Sequence, residues 1–399
     1  MLHSLTIFLF INLFVDTKFP PASNFLSTSF SDKICDIISD TVLDYCLERD
    51  ENARVACDCA ISGRKIVIMG EVGFSSQYTN LDNLNSDIHN RTISKLEDIG
   101  FFRCVSFEPQ SMQIEILLRS QSRQLSTIVS QSDVANDQGF CFGFACRETE
   151  RLMPLACTLA HSIVIEHHRR SATASCGWLR NDCKVQVITR SDSNGETPRA
   201  KTAIRIESIT FSTLHDGDKS VEDVRQKLRQ IVDKVLEGTE YIDAETIFKM
   251  QPGGSWTVGS SEADSGLTGR KIVTDCYGSA APHGGGAFSG KDLSKIDRSG
   301  AYGARQIAKS IVAAGLALKC LITLGFSVNC SDIVVFDVET FGTSMMSESD
   351  LMEKVKRKMP LTAKLFREMY EKKVTNFSTT ACHGHMGYWE MPWEKIIPL

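Results

Sequence analysis

Apolar residues recur every three or four positions in six stretches of the chain, which is the spacing of an amphipathic helix. The first stretch, DKICDIISDTVLDYCLERD, carries acidic residues on its other face. Pro154 falls in the first turn of the third stretch, and Ser220 is a suitable N-cap for the fourth. We therefore predict helices over residues 32–50, 85–100, 150–170, 220–236, 298–315 and 347–359.

Apolar and polar residues alternate in other stretches, as they do in half-buried strands. The run ARVACDCAISGRKIVIMGEV predicts a hairpin that turns at Ser62-Gly63-Arg64. Further strands are predicted over residues 104–120, 184–190, 201–215, 270–275, 320–328 and 332–343. Residues 119–135 are polar and rich in Ser and Gln, which predicts a loop that can move.

Strand pairs and helices recur three times in a similar order, without the strict alternation of a doubly wound parallel sheet. This order predicts an α+β fold of three similar α/β domains, each a mixed sheet with helices. We place the domains at residues 32–125, 133–257 and 259–399, with an atypical leader at 1–31.

The leader contains an apolar run of signal-peptide length, from Leu5 to Val15. No Lys or Arg precedes this run, and no small-residue cleavage site follows it. A secretory or anchoring segment is therefore the less favoured interpretation, and a wrongly assigned start or exon is the alternative.

Composition narrows the class of partner. The chain has 44 Lys and Arg against 49 Asp and Glu, so its net charge of −5 leaves no excess of cations for nucleic acid. The 14 cysteines contain no Cys-x-x-Cys pair, which predicts free thiols in a reducing, cytoplasmic compartment. We expect neither nucleic acid nor a membrane as a partner.

A short glycine-rich run, HGGGAFSGKDLSKIDRS, occupies residues 283–299. Clustered glycines cost backbone entropy, and the usual compensation is close approach of backbone amides to an anion. The spacing Gly285-x-x-x-x-Gly290-Lys291 is that of a Walker A loop, but Asp292 replaces its Ser or Thr and no strand precedes it. A P-loop NTPase is therefore only a third interpretation, although phosphate binding remains the physical expectation.

Cations lie beside glycines at a second place, DSGLTGRK at residues 264–271, which ends in Arg270 and Lys271. Lys184 also begins a predicted strand. With isolated acids nearby, these cations indicate a polyphosphate–metal site for which Asp32 and Asp297 are candidate magnesium ligands. Both acids also lie near predicted helix starts, where a carboxylate is explained equally well as a cap.

Taken together, these segments resemble the S-adenosylmethionine synthetase (methionine adenosyltransferase) family. The matching runs are DKICDIISD, ARVAC, DQGFCFGFA, ETERLMPLA, DSGLTGRKIVTDCYG, HGGGAFSGKDLSKIDRSGAYGAR and MPWEK. The resemblance implies synthesis of S-adenosylmethionine from ATP and L-methionine by attack of the methionine sulfur on C5′, followed by cleavage of the released tripolyphosphate. It also implies a pair of Mg²⁺ ions per site, K⁺, and a homodimer or tetramer with active sites between subunits.

The resemblance assigns roles to individual positions. It implies catalytic, phosphate-facing cations at Lys184, Arg270, Lys271 and Lys291. It implies further ATP contacts at Asp182, Ser255, Trp256, Asp264 and Ala287, with Trp256 replacing a Phe that stacks on adenine. Methionine contacts are implied at Glu71, Gln121, Asp137, Asp264 and Lys295, with Gln121 on the gating loop. The implied metal ligands are Asp32 and Asp297 for Mg²⁺ and, where the family usually has Glu, Asp58 for K⁺.

Several positions depart from the family pattern. Gly-His-Pro-Asp-Lys appears here as SFSDK, so Phe30 stands where the family has a catalytic histidine. Phe can neither donate a hydrogen bond nor carry a proton, and losing such a group typically costs ~10²–10⁴ in rate. Val134, Asn136, Ser255 and Ser260 also differ. Two hypotheses stay open: an active synthetase whose first exon is wrongly assigned, and a slow or inactive relative that serves as a partner subunit.

Overall fold

The chain is described from a computed structural model. The structure describes residues 22–74, 81–120, 133–191, 204–359, 361–371, 373–374, 376–388 and 390–399. The apolar run at 5–15 and Gln121 lie outside the described residues. Within the described part of the chain, every helix is too short or too polar to cross a membrane.

The longer helices lie where the apolar spacing predicts them. Ser220 caps one by accepting a hydrogen bond from the backbone N–H of Asp223, and Gly100 follows another with φ of 72°. The helices among the described residues are α1 (Ser31–Arg49), α2 (Leu81–Asp98), α3 (Leu155–Ser171), α4 (Val221–Leu236), α5 (Ser260–Ala263), α6 (Ile296–Ala313), α7 (Glu348–Lys358), α8 (Ala363–Tyr370) and α9 (Ser378–His383).

The strands include the predicted hairpin, which is formed by the second and third strands around the turn at Gly63. In chain order the strands are β1 (Ala22–Leu26), β2 (Arg54–Ser62), β3 (Lys65–Gly73), β4 (Gln113–Ser120), β5 (Gly139–Cys146), β6 (Leu179–Ser191), β7 (Ile204–His215), β8 (Ile247–Met250), β9 (Gly266–Leu267), β10 (Lys319–Phe326) and β11 (Val335–Glu339).

These strands form three sheets, ordered β4-β3-β2-β9, β1-β6-β7-β8 and β11-β10-β5. The pairs β3–β4 and β7–β8 are parallel, and the other pairs are antiparallel. Each sheet includes one strand from a distant part of the chain, namely β9, β1 and β5 respectively. Three mixed or antiparallel sheets with helices confirm the predicted α+β class. The strand β1 lies inside the predicted leader and is part of the second sheet.

The helices pack on the sheets and close two separate cores. Helix α1 packs on β2, α3 on β6, and α6 on β5 and β10. One core joins residues from the beginning and the end of the chain, among them Ile34, Ile68, Ile307 and Trp393. The buried residues of the other core all fall between 155 and 236.

The acidic face of α1 is buried, unlike the polar face of an ordinary amphipathic helix. Asp32, Asp36, Asp40 and Asp44 follow each other at four-residue intervals, and all four are buried. Asp36 accepts a hydrogen bond from the backbone N–H of residue 269, and Asp40 accepts one from that of residue 290, each at 2.8 Å. Asp44 accepts the N–H groups of residues 377 and 378. This acidic face therefore anchors both glycine-rich runs.

Two predicted strands are wrong in whole or in part. Residues 270–275 form turns, in which the N–H of Asp275 donates to the carbonyl of Lys271 at 3.0 Å. The turn lets Lys271 reach Asp32 while Asp275 meets the Nζ of Lys33 at 2.5 Å, contacts that a strand would not allow together. Residues 104–112 form turns and a short 3₁₀ segment beginning at Pro109, so the strand predicted there begins only at residue 113.

Candidate active site

Asp32 holds two of the predicted phosphate cations at the start of α1. Its Oδ2 accepts a hydrogen bond from Nζ of Lys271, and Nη1 of Arg270 lies 3.4 Å from its Oδ1. Oδ1 also accepts the backbone N–H of Leu267 at 2.9 Å, which fixes the orientation of the carboxylate. The structure thus brings together three predicted site residues that are distant in sequence.

Lys291 and Asp297 form a second ion pair, with Nζ 2.5 Å from Oδ2. A Cβ on Gly286 would lie 2.1 Å from Oδ1 of Asp297, so only glycine lets the loop cover this carboxylate. Because α6 begins at residue 296, Lys291 is not at a helix N-terminus as it would be in a Walker A loop. The Nζ of Lys295, another predicted contact in this run, lies 3.8 Å from Oδ2 of the buried Asp292.

The two ion pairs lie on segments that pack directly on each other. A Cβ on Gly269 would lie 2.6 Å from the Cβ of Ala287. A Cβ on Gly284 or Gly290 would lie 1.9 Å from a backbone carbonyl oxygen, and the N–H of Gly290 is already bonded to Asp40. Backbone packing therefore accounts for these glycines, in addition to any approach of amides to an anion.

A buried ion pair supports Lys291 from behind. Arg298 donates to both carboxylate oxygens of Asp40, at 2.6 and 3.0 Å, and both side chains are fully buried. The same guanidinium donates to the backbone carbonyl of Lys291 at 3.1 Å. Sequence reasoning did not identify Asp40 or Arg298. The available signal was the four-residue repeat of Asp along α1 and an Arg inside the glycine-rich run.

Asp182 is a buried junction between three segments. Its Oδ1 accepts a hydrogen bond from Oγ of Ser27 at 3.3 Å, and its Oδ2 accepts the N–H of Ser260 at 2.8 Å. Burial raises the pKa of Asp182 to about 7. Ser260 has φ of 49°, and its hydroxyl donates to the carbonyl of Ser29, next to Phe30.

The other predicted ATP contacts differ in their distance from the ion pairs. Lys184 is exposed on β6, and Ser255 is exposed as well. Asp264 is exposed, but its backbone carbonyl accepts a hydrogen bond from Oγ of Ser31, next to Asp32, at 2.9 Å. Trp256 lies beside the end of β7, where its backbone N–H donates to Nε2 of His215 at 3.1 Å. Its indole N–H donates to the carbonyl of Val258 at 2.8 Å.

One row of the first sheet places a predicted methionine contact beside a predicted phosphate cation. Ala56 of β2 pairs with Glu71 of β3 on one side and forms a bridge with Lys291 on the other. Asp58 is two residues further along the same outward face, opposite Met69. Glu71, Asp58 and Lys291 therefore share one face of the sheet.

Asp137 is exposed two residues before β5 begins. Its Oδ1 accepts the N–H of Gln138 at 2.8 Å. A Cβ built on Gly139, at the start of β5, would lie 3.8 Å from Cδ1 of Ile296, at the start of α6. Asp137 therefore flanks the helix end that carries Asp297.

A cleft of about 580 Å³ opens elsewhere, between the first and second sheets. Its lining includes Arg64, Arg103, Arg180, Val258 and Glu262, and none of the residues predicted to bind substrate. Most of its charges are already paired, since Arg180 binds Asp216 and Glu262 accepts from Ser106. The predicted site residues are thus not gathered around this cleft.

The ion pairs have a defined chemical capacity. Lysine and arginine bind phosphate oxygens, and the carboxylates freed from them are hard oxygen ligands suited to Mg²⁺. Asp32 and Asp297 each hold a lysine ammonium, so each already carries a cation where a metal ion could bind. Such an arrangement is chemically suited to binding a polyphosphate together with divalent cations.

Three family models match the chain in consecutive segments. The N-terminal domain of S-adenosylmethionine synthetase matches residues 19–123, the central domain matches 132–256, and the C-terminal domain matches 258–395. The chain belongs to the S-adenosylmethionine synthetase family. The family and the three-domain fold expected from the sequence are confirmed.

Proposed function

We propose that this protein synthesises S-adenosylmethionine from ATP and L-methionine and then cleaves the released tripolyphosphate. The observation that carries the proposal is the convergence of Arg270, Lys271 and Lys291 on two segments in backbone contact, within a chain matched throughout by this family. The reaction needs such an array because a neutral sulfur displaces an entire triphosphate, whose developing charge must be stabilised.

In the proposed reaction the methionine sulfur forms a bond to C5′ as the bond from C5′ to the triphosphate oxygen breaks. Arg270, Lys271 and Lys291 would leave their carboxylate partners and bind the departing oxygens. Lys184, on β6, would add a further cation, and Trp256 would stack on the adenine. Asp182, Ser255, Asp264 and Ala287 would complete the nucleotide contacts.

Methionine would be held by Glu71, Asp137, Asp264 and Lys295, and by Gln121 outside the described residues. Of these, Glu71 lies in the same sheet row as Lys291, which supports an amino-acid contact beside a phosphate contact. Lys295 would need to turn from Asp292, 3.8 Å away, to reach a substrate carboxylate.

Magnesium fits the two carboxylates that hold the lysines. Asp32 and Asp297 would each bind Mg²⁺, which supplies positive charge to the polyphosphate when bound. Asp58 would provide one exposed oxygen ligand to K⁺. When metal and polyphosphate bind together, the carboxylates gain Mg²⁺ and the lysines gain phosphate in place of each other. Binding of only one of the two would leave a buried or half-buried charge unpaired.

The proposed active form is a homodimer, or a tetramer built from two such dimers. Glu71, Asp58 and Lys291 lie on an outward sheet face that also exposes Leu117 and Leu267. A second copy facing this surface would enclose the substrates between the two chains. Lys184 and Trp256, which lie away from the ion pairs, would then also contact the ATP. All fourteen cysteines are free thiols, which supports a reducing, cytoplasmic location.

The test is methionine-dependent formation of S-adenosylmethionine and phosphate by the purified protein with ATP, Mg²⁺ and K⁺. Replacing Lys291 by Met should lower kcat about 10²–10³-fold, because one cation opposite the leaving group is lost. The matched control is Lys356→Met on the exposed side of α7, which should retain activity. ATP hydrolysis without methionine, or no product at high enzyme concentration, would contradict the proposal.

A second candidate is a non-catalytic subunit that assembles with an active relative. Phe30 favours it, since this side chain cannot replace the histidine that the family resemblance places there. This candidate predicts normal assembly and nucleotide binding without turnover alone. Mixing the protein with an active synthetase of the family and measuring mixed oligomers and activity distinguishes the two.

A further inference from the structure

Two histidines and a cysteine meet in the core that lies between residues 155 and 236. One ligand atom from each of His167, His168 and Cys183 lies within 4.8 Å of the other two, the only such group of three among the described residues. His167 and Cys183 are fully buried, and His168 is partly buried. The histidines lie at the C-terminal end of α3, and the cysteine lies on β6, on which α3 packs.

The ring of His167 is held at one nitrogen by a threonine hydroxyl. Its Nε2 lies 2.7 Å from Oγ1 of Thr213. The hydroxyl of Thr213 can also donate to the carbonyl of Leu214 at 3.2 Å or to that of Asp182 at 3.4 Å. When it donates to either carbonyl, it accepts from the ring, which leaves a lone pair at Nδ1 of His167.

His168 is protonated at Nε2. Its Nε2 lies 3.2 Å from the backbone carbonyl of Asn181, which accepts and cannot donate. The side chain of Asn181 is itself held by Ser171 and by the carbonyl of Ile99. Partners of this kind, which hold the far nitrogen of a ring, are typical of metal-binding histidines.

The Nδ1 of His167 has no hydrogen-bond partner among the described residues, although the ring is fully buried. Cys183 carries one S–H proton and could satisfy at most one ring nitrogen. Burial lowers the pKa of His168 to about 4 and that of His167 well below its usual value, and it raises the pKa of the Cys183 thiol, so a metal ion would have to displace the thiol proton.

We propose that His167, His168 and Cys183 form a binding site for a thiophilic divalent metal ion, with Zn²⁺ as the best match. Two ring nitrogens and one thiolate are ligands that zinc favours, and a water molecule would complete its tetrahedron. Such ligand atoms lie about 3.5 Å apart around zinc. Small side-chain rotations would close the present group to that distance.

Metal binding at this site exchanges a proton for the ion. The S–H bond of Cys183 breaks, a bond from sulfur to Zn²⁺ forms, and the proton passes to the solvent. The partly buried ring of His168 provides the side from which the ion and water can enter. The bound ion would connect the end of α3 to β6.

The experiment titrates metal-free protein with Co²⁺ and then Zn²⁺ in excess Mg²⁺, which occupies carboxylate sites. We expect one Co²⁺ per chain with a thiolate-to-cobalt charge-transfer absorption, displacement of Co²⁺ by Zn²⁺, and release of one proton. Zn²⁺ should also raise the unfolding temperature, because it binds the folded state alone. The proposed metal site does not depend on the proposed reaction, so a negative result for one proposal does not contradict the other.

Variants assign the ligands. Cys183→Ser should abolish the charge-transfer absorption, and His167→Gln should weaken Co²⁺ binding at least about tenfold. The control is Cys176→Ser, a buried cysteine of the same core outside the group, which should bind as the wild type does. The proposal is overturned by a folded wild-type protein without the absorption, or by an unchanged spectrum in Cys183→Ser. The wild-type spectrum decides alone if that variant does not fold.

Discussion

Phe30 is the residue at which the chain departs furthest from the chemistry proposed for it. Its ring centroid lies 5.3 Å from Nζ of Lys271, close enough for attraction between the ammonium and the ring face. The carbonyl of the preceding residue is held by the hydroxyl of Ser260. Phe30 can therefore help to position Lys271, although it cannot transfer a proton or donate to a phosphate.

We expect Phe30→His to raise kcat for S-adenosylmethionine formation at least tenfold, because an imidazole in this position can donate a hydrogen bond to the triphosphate. The control is Phe30→Leu, which keeps an apolar side chain and should not raise kcat. Steady-state kinetics of the three proteins provide the measurement. Equal activity of the histidine and leucine variants would show that a missing imidazole does not limit the rate.

Asp182 makes stability depend on pH through its raised pKa. Its pKa is about 7 in the folded protein because of burial, against an ordinary value of 3.8. The folded state thus favours the protonated form, and this contribution is complete below pH 4 and disappears as pH rises through 7. Asp182→Asn keeps a neutral side chain at every pH.

We expect the stability of Asp182→Asn relative to the wild type to improve by about 1–3 kcal/mol between pH 4.5 and pH 8. Urea unfolding at both pH values measures the difference. The control is Val185→Ala, which changes a buried, non-ionisable side chain on the same strand and should lower the free energy of unfolding equally at both pH values. A pH-independent gap between Asp182→Asn and the wild type would contradict the assigned pKa.

At the scale of elements, helix α1 organises the site by receiving both glycine-rich runs on its buried acidic face. Asp32 binds the cations of one run, and Asp40 binds the N–H of Gly290 and the guanidinium of Arg298 in the other. Each carboxylate on this face is paired or hydrogen-bonded, although burial still raises the pKa of Asp36 to about 7 and that of Asp44 to about 6. The helix therefore positions Lys271 and Lys291 together.

Two glycines with the same backbone conformation separate the effect of packing from that of φ. Gly290 and Gly254 both have φ of +79°, but a Cβ on Gly290 would lie 1.9 Å from a carbonyl oxygen, and one on Gly254 would contact nothing within 4 Å. Gly254→Ala should cost about 1–2 kcal/mol, the strain of a left-handed residue. Gly290→Ala should cost several kcal/mol more or yield no soluble protein. Equal unfolding midpoints in urea would refute this explanation of the glycine run.

At the scale of the whole molecule, each sheet is completed by a strand from a remote part of the chain. β1 joins the sheet of β6, β5 joins that of β10, and β9 joins that of β2. The first and last parts of the chain also share one hydrophobic core. The three sheets therefore cross the domain boundaries predicted from the sequence, although the core of residues 155–236 lies within one predicted domain.

The outward face of the first sheet should form the contact between two copies. We expect the protein to have a native mass of at least twice the 44.2 kDa of one chain. The variant Leu117→Glu should have a lower native mass than the wild type, because it places a charge on that face. Ile247→Glu is the matched control, since the two side chains are 50% and 52% exposed on different sheets. Light scattering after size exclusion measures both. A monomeric wild type, or equal effects of the two variants, would contradict the proposed dimer.

Part of the site was predictable because it depends on local sequence. The glycine-rich runs and their cations are contiguous, so 264–271 and 283–299 could be recognised together with Asp32 and Asp297. The residues behind them were not recognised, because Asp40 and Arg298 are far apart in sequence and each alone is typical of an exposed helix face. The strand predicted at 270–275 was wrong because long-range ion pairs with α1 outweigh its apolar pattern.

The sequence by itself determined the longer helices, the hairpin of β2 and β3, the family and the chemical types at the site, since spacing and side-chain chemistry are local properties. Tertiary structure alone decided which strands share a sheet, that the acidic face of α1 is buried, and that His167, His168 and Cys183 meet. The reason is that a periodic pattern specifies which residues share a face, whereas only the packed chain specifies what covers that face.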